Sequence, residues 1–227
     1  TCGPSFDTRG SNWIDENGQI DHPLDQERYA GAIPEFQGAR YDYRPYESVE
    51  NFFQTGLTTN TSVSISKNVG ENTKISASYS YLSDEGFLPD LDEIQGGGPS
   101  NFQKKHNFGL GIRSKLDNGI TIKGVFNYVD SDIGRPLTNP SFGGTGDGLF
   151  ASVLYTPRSI DLLNIPYQNP IDGSMVYYRR GSAIEHPLWN LNNKKDQELI
   201  ERFFSNVEVG YEYTDWLKLQ YRISLDS

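Results

Sequence analysis

The chain is short of sulfur, of positive charge and of long apolar runs, and each shortage removes a class of protein. It holds one cysteine, Cys2, and one methionine in 227 residues. A lone cysteine closes no intrachain disulfide and builds no cysteine-based metal site. A lipid on a cysteine so near the start requires an apolar signal region before it. None precedes Cys2, which reads as an ordinary residue. Lysine and arginine number 20 against 30 aspartates and glutamates, a net charge of −10. That excludes the basic stripe a nucleic-acid partner demands. Hydrophobic residues are 35% of the total and no run reaches 18, so a helical membrane span is excluded. A β-barrel is not, because only alternate residues of its strands meet lipid.

The chain is also poor in catalytic arrangements. His22 and His186 precede prolines in loops, and His106 opens a strand; no nucleophile–base set frames any of the 3 histidines. Asp90, Asp92 and Glu93 lie in one acidic loop, whereas opposed catalytic carboxylates come from separate elements across a cleft. The Gly96-Gly97-Gly98 run has no Lys-Ser/Thr after it and is no phosphate cradle. Asp15-Glu16-Asn17-Gly18 with Asp21 lacks the spacing and closing Glu of a calcium loop and reads as a surface turn. The expectation is a protein that is not an enzyme and has neither cofactor nor metal.

What the chain does have is alternation. Val63 and Ile65 oppose Ser62, Ser64 and Ser66. After Gly70-Glu71-Asn72, Ile75, Ala77, Tyr79 and Tyr81 oppose Ser76, Ser78 and Ser80. Period two about a short Gly/Asn turn predicts an antiparallel hairpin over about 59–82. A second hairpin, about 106–129, turns at Asp117-Asn118-Gly119 and places Phe108, Leu110, Ile112, Ile120, Ile122, Phe126 and Tyr128 on one face. Arg113, Thr121, Lys123 and Asn127 lie on the other, where charge is cheap only if the surroundings are wet. A third hairpin, about 199–227, alternates Leu217, Leu219, Tyr221, Ile223 and Leu225 with Lys218, Gln220, Arg222, Ser224 and Asp226. Tyrosines and Trp216 gather at its turn, as in an interfacial aromatic girdle.

The fold class is therefore all-β: about six antiparallel strands in three hairpins, a segment of a large transmembrane barrel. Short turns at 70–72, 117–119 and 214–215 alternate with long connections at 83–105 and 130–197, as periplasmic turns alternate with extracellular loops. Residues 1–57 form a further loop region, and 58–227 the partial barrel. Leu149, Phe150, Val153 and Leu154 have helical spacing after Asp147 and before Pro157. A strand there would break the alternation of ends, so 147–156 is expected as a short helix inside a loop. Six strands fall short of the eight of the smallest such barrels, so either other chains complete the barrel or the chain is a fragment.

The text NFFQTG (51–56), the Ser-rich hairpin and GFLP (86–89) resemble the barrel of SusC-like (RagA-type) TonB-dependent outer-membrane transporters of the Bacteroidetes. GPSFDTRG (3–10), the 105–131 hairpin and a closing hairpin after HPLWNLNN (186–193) follow in the same order. His186-Pro187-Leu188 stands where that family usually has Asn-Pro-Leu. The resemblance implies that the chain is a fragment of the barrel, and that the whole protein actively imports oligosaccharide or oligopeptide nutrients across a Gram-negative outer membrane. Its implied partners are a SusD-like surface lipoprotein, TonB acting through an N-terminal part, and outer-membrane lipid. A passive porin and a soluble glycan-binding or adhesion β-sandwich are the alternatives. The loop aromatics Trp13, Phe142, Tyr177, Tyr178 and Trp189 read first as anchors that pack the loops. Their second reading is as platforms that contact the substrate.

Overall fold

The computed structural model describes residue 6 and residues 13–89, 101–136, 148–179 and 184–227. Cys2, the acidic residues Asp90, Asp92 and Glu93, the triple glycine, Phe142 and Asp147 lie outside these. Strand makes up 50% and helix 10% of the described residues, an all-β composition. The chain divides into two compact units.

One unit comprises Gly56–Gly86, Phe102–Gly134 and Gln197–Ser227. It is a single antiparallel sheet, and its strands follow chain order: β3 (Leu57–Val69), β4 (Thr73–Glu85), β5 (Phe102–Lys115), β6 (Ile120–Pro136), β7 (Lys195–Thr214) and β8 (Leu217–Asp226). Two turns rest on glycines at positive φ, Gly70 at 70° and Gly119 at 84°, which a side chain rarely adopts. The register sorts residues by face as the alternation predicts. Val63 stands opposite Tyr79, Tyr79 opposite Phe108, and Phe108 opposite Tyr128. Ser64, Ser78, Gly109 and Asn127 make the matching row on the other face. Gly109 and Gly111 keep that face flat: a Cβ on either would come within 2.5 Å of the Ser78 or Ser76 hydroxyl.

The strands outrun their expected limits. β5 begins at Phe102 rather than about 106, β6 continues to Pro136 rather than 129, and β7 starts at Lys195 rather than 199. In these extensions Lys104 opposes Asp132 and His106 opposes Asp130. The ladder continues, but the apolar alternation that marks a strand in sequence has stopped.

The other unit comprises Thr1–Thr55, Phe87–Asn101 and Arg135–Asp196. Its regular elements are few. Strands β1 (Gln19–Asp21) and β2 (Arg40–Asp42) pair antiparallel, and helices α1 (Leu149–Leu154) and α2 (Pro187–Asn193) follow. Position 148, a glycine, caps α1 without a side-chain bond. Helix α2 was not expected. Pro187 opens it, and the His186 ring accepts the Leu188 N–H as its cap. Order comes instead from a hydrophobic core drawn from all three segments: Leu24, Phe52, Leu88, Leu149, Leu162, Val176, Leu188 and Leu191 are buried together. Ser48 ties two segments, donating to the Ile160 carbonyl and accepting the Leu162 N–H at 3.1 Å. The Tyr41 hydroxyl accepts the Asp161 N–H at 2.6 Å, and the Tyr29 hydroxyl accepts the Tyr177 N–H at 2.7 Å.

Candidate functional site

The described aromatic candidates, Trp13, Tyr177, Tyr178 and Trp189, lie in the loop unit. Trp13 is 44% exposed and meets the Tyr43 ring edge-on at 5.0 Å; Phe6 lies on Tyr43 at 4.9 Å. Tyr177 is half-buried beneath the Arg28 guanidinium, which also covers Tyr29. Its carbonyl accepts from the Gln26 amide at 3.0 Å. Trp189, on α2, donates its indole N–H to the Gly173 carbonyl at 3.1 Å. Tyr178 is 4% exposed, and its hydroxyl meets Thr156 Oγ1 at 2.9 Å. Tyr178 is thus a core residue with little surface for a ligand; Trp13, Tyr177 and Trp189 keep an accessible edge.

The histidines flanking this core are structural in geometry. His22 and His186 are both buried, and each begins a His-Pro-Leu corner. In both, the ring Nδ1 accepts the N–H of the leucine two residues on, at 3.1 Å for Leu24 and 3.3 Å for Leu188. Those leucines are fully buried. Around His22 are Phe36, stacked at 4.4 Å, Tyr41, edge-on at 5.0 Å, and the Asp25 carboxylate. Around His186 are Tyr178, Tyr167 and the Met175 sulfur, which accepts the His186 N–H. Burial lowers the pKa of His22 and pushes that of His186 down to about 3.

The Asp15 turn is closed by its own bonds. Asp15 Oδ1 accepts the Gln19 and Asn17 N–H groups, and Arg40 bridges Asp15 and Asp21. These bonds, that from Gln19 foremost, hold the Asp15 carboxyl below its ordinary pKa. The guanidinium stands where a cation would. Among the described residues no three His, Cys, Asp or Glu side chains are grouped to hold a metal.

The sheet offers a second surface, which the sequence shows only in halves. On its polar face Glu208 is pinned between Lys123 at 2.7 Å and Arg222 at 2.6 Å. Glu212 pairs with Lys218 at 2.8 Å nearer the turns. Toward the long connections the face carries Ser62, Ser80 and Asn107, with the Asn107 amide donating to Ser80 at 3.0 Å, and beyond them Lys105 and the Arg202–Asp226 ion pair. The opposite face carries Val63, Ile65, Phe108, Leu110, Leu219 and Ile223, all exposed. The class thus defined is a mostly-β protein with one six-stranded antiparallel sheet, amphipathic across its thickness. No protein-family model and no curated protein matches the chain.

Proposed function

We propose that the chain is part of a SusC-like TonB-dependent transporter of a Gram-negative outer membrane, importing oligosaccharides or oligopeptides with a SusD-like lipoprotein. One observation carries the reading: the apolar face of the sheet is bare. Exposure is 64% at Val63, 70% at Ile65, 58% at Leu110 and 56% at both Leu219 and Ile223. Soluble monomers rarely leave so broad an apolar surface uncovered. A sandwich would cover it with a second sheet. The only other sheet among the described residues is the three-residue pair β1–β2, too small for that task. Lipid fits the face, and water fits the hydroxyls and charges behind it.

Strand lengths support the same reading. β8 has 10 residues, within the 9–11 or so that a tilted strand needs to cross the hydrocarbon. Edge strands β3 and β8 would pair with further strands of a closed barrel. A passive porin would share these strands, and the family resemblance decides for the transporter. TonB would act through a plug-bearing part, and the loop unit would meet the lipoprotein and its ligand through Trp13, Tyr177 and Trp189.

The experiment compares two neighbours on β8. Leu219→Arg puts charge on the proposed lipid face and should cost about 2–4 kcal/mol of folding free energy in vesicles. Gln220→Arg, on the wet face, should cost close to nothing. Equal costs would refute the membrane reading.

A further inference from the structure

One row of the polar face runs against the charge of the chain. Asn68, Lys74, Arg113 and Lys123 stand directly opposite one another from β3 to β6. Lys123 reaches Glu208 on β7, and Glu208 stands opposite Arg222 on β8. The row sets four cations against one carboxylate, in a chain of net charge −10. Glu208 serves Lys123 and Arg222. Among the described residues neither Lys74 nor Arg113 pairs with a carboxylate. Like charges directly opposite weaken a sheet, so the arrangement has no stabilising purpose.

We propose that this row binds an anionic soluble ligand, of the class of oligosaccharides that carry carboxylate or sulfate groups. The inference rests on the reading of this face as a wet lumen. Adjacent strands lie about 4.8 Å apart, so Lys74 and Arg113 offer cations one short step apart, with the Lys123–Glu208 pair beside them. Arg113 adds a planar fork suited to carboxylate and sulfate oxygens. The neighbouring row is Ser66, Ser76, Gly111 and Val125. It gives two hydroxyls to bond a sugar and, at Gly111, a floor with no side chain in the way.

An acidic polypeptide fits less well. Alternate side chains of an extended chain repeat at about 6.6 Å, out of step with the row. Peptide interfaces also rely on aromatic or aliphatic anchors in pockets, and this floor has only Val125.

The test is calorimetric titration of the whole chain in detergent with three probes: a galacturonate trisaccharide, its neutral methyl ester, and a peptide of Asp and Glu. The free-acid trisaccharide should bind at least tenfold tighter than the ester at low salt. That preference should shrink to within twofold in Lys74→Gln/Arg113→Gln, whose urea midpoint should rise because opposed cations are gone. Equal binding of acid and ester, or a preference that survives in the double variant, overturns the proposal. So does tighter binding of the peptide, or a fall in the midpoint, which would make the row structural. Insertion into vesicles is read without these ligands. A chain that inserts but ignores the acid refutes the anion site alone.

Discussion

Acidification should loosen the loop unit through its two His-Pro-Leu corners. At neutral pH the Nδ1 atoms of His22 and His186 accept the Leu24 and Leu188 N–H groups. Protonation turns each acceptor into a donor that faces another donor, in surroundings that solvate charge poorly. The folded pKa of His186 is pushed down to about 3 from an ordinary 6.5, so below pH 6.5 the unfolded chain binds the extra proton. Stability is therefore full above pH 6.5 and falls as pH falls, until His186 itself titrates near 3. Between pH 6.5 and 4.5 this amounts to about 2 kcal/mol, or about a fiftyfold rise in the open population. His22 adds to the slope in the same direction. Amide hydrogen exchange at Leu24 and Leu188, corrected for the intrinsic pH dependence of exchange, reads that population directly. His186→Asn supplies a side-chain oxygen that can take the same N–H without titrating. It should keep the fold and remove most of the slope at Leu188. A wild-type slope near zero, or one unchanged in His186→Asn, would refute the reasoning.

Two further outcomes follow from the geometry and a third from the proposed function. If the long connections face outward, a cysteine at Ile171, 73% exposed, reacts with an impermeant maleimide on whole cells and one at Asn118 does not; reversed labelling would invert the topology. Gly134→Ala would press a methyl into the Phe102 ring that covers the glycine, costing about 1–3 kcal/mol in urea unfolding. An unchanged midpoint would show that the ring is free to move. If the proposed function holds, the full-length protein, purified in mild detergent, should carry a SusD-like lipoprotein in stoichiometric amount; repeated recovery alone, with transport intact without the lipoprotein, would sink that partnership.

The sheet was legible because its information is local. Ser62 to Ser66 and Ile75 to Tyr81 alternate over a few residues, and Asn118-Gly119 marks its own turn. The charged row was only half legible. Arg113 and Lys123 show their face by parity, but the register is what sets Lys74 beside Arg113. The loop unit was not legible, since its core residues are far apart in the chain and share no period: Phe52, Leu88, Leu162 and Leu188 meet only in three dimensions. Strands of three residues, such as Gln19–Asp21, are too short to establish a period. Helix α2 escaped because histidine is an unusual cap and Leu188 and Leu191 alone make a weak stripe.

The core stitched from three chain segments sets an order of events during folding. Each hairpin closes over a turn of a few residues, a fast and local step. The bonds that complete the loop unit span far more chain: Ser48 to Ile160 is a separation of 112 residues, and Gln26 to Tyr177 one of 151. Contacts so distant pay their loop-closure entropy before any burial rewards it. Leu24 and Phe52 therefore wait for Leu162 and Leu188, which are made more than 100 residues later. During that interval the early half of the core is open to aggregation, and a chaperone that shields residues 13–55 would serve this protein more than one that shields its strands.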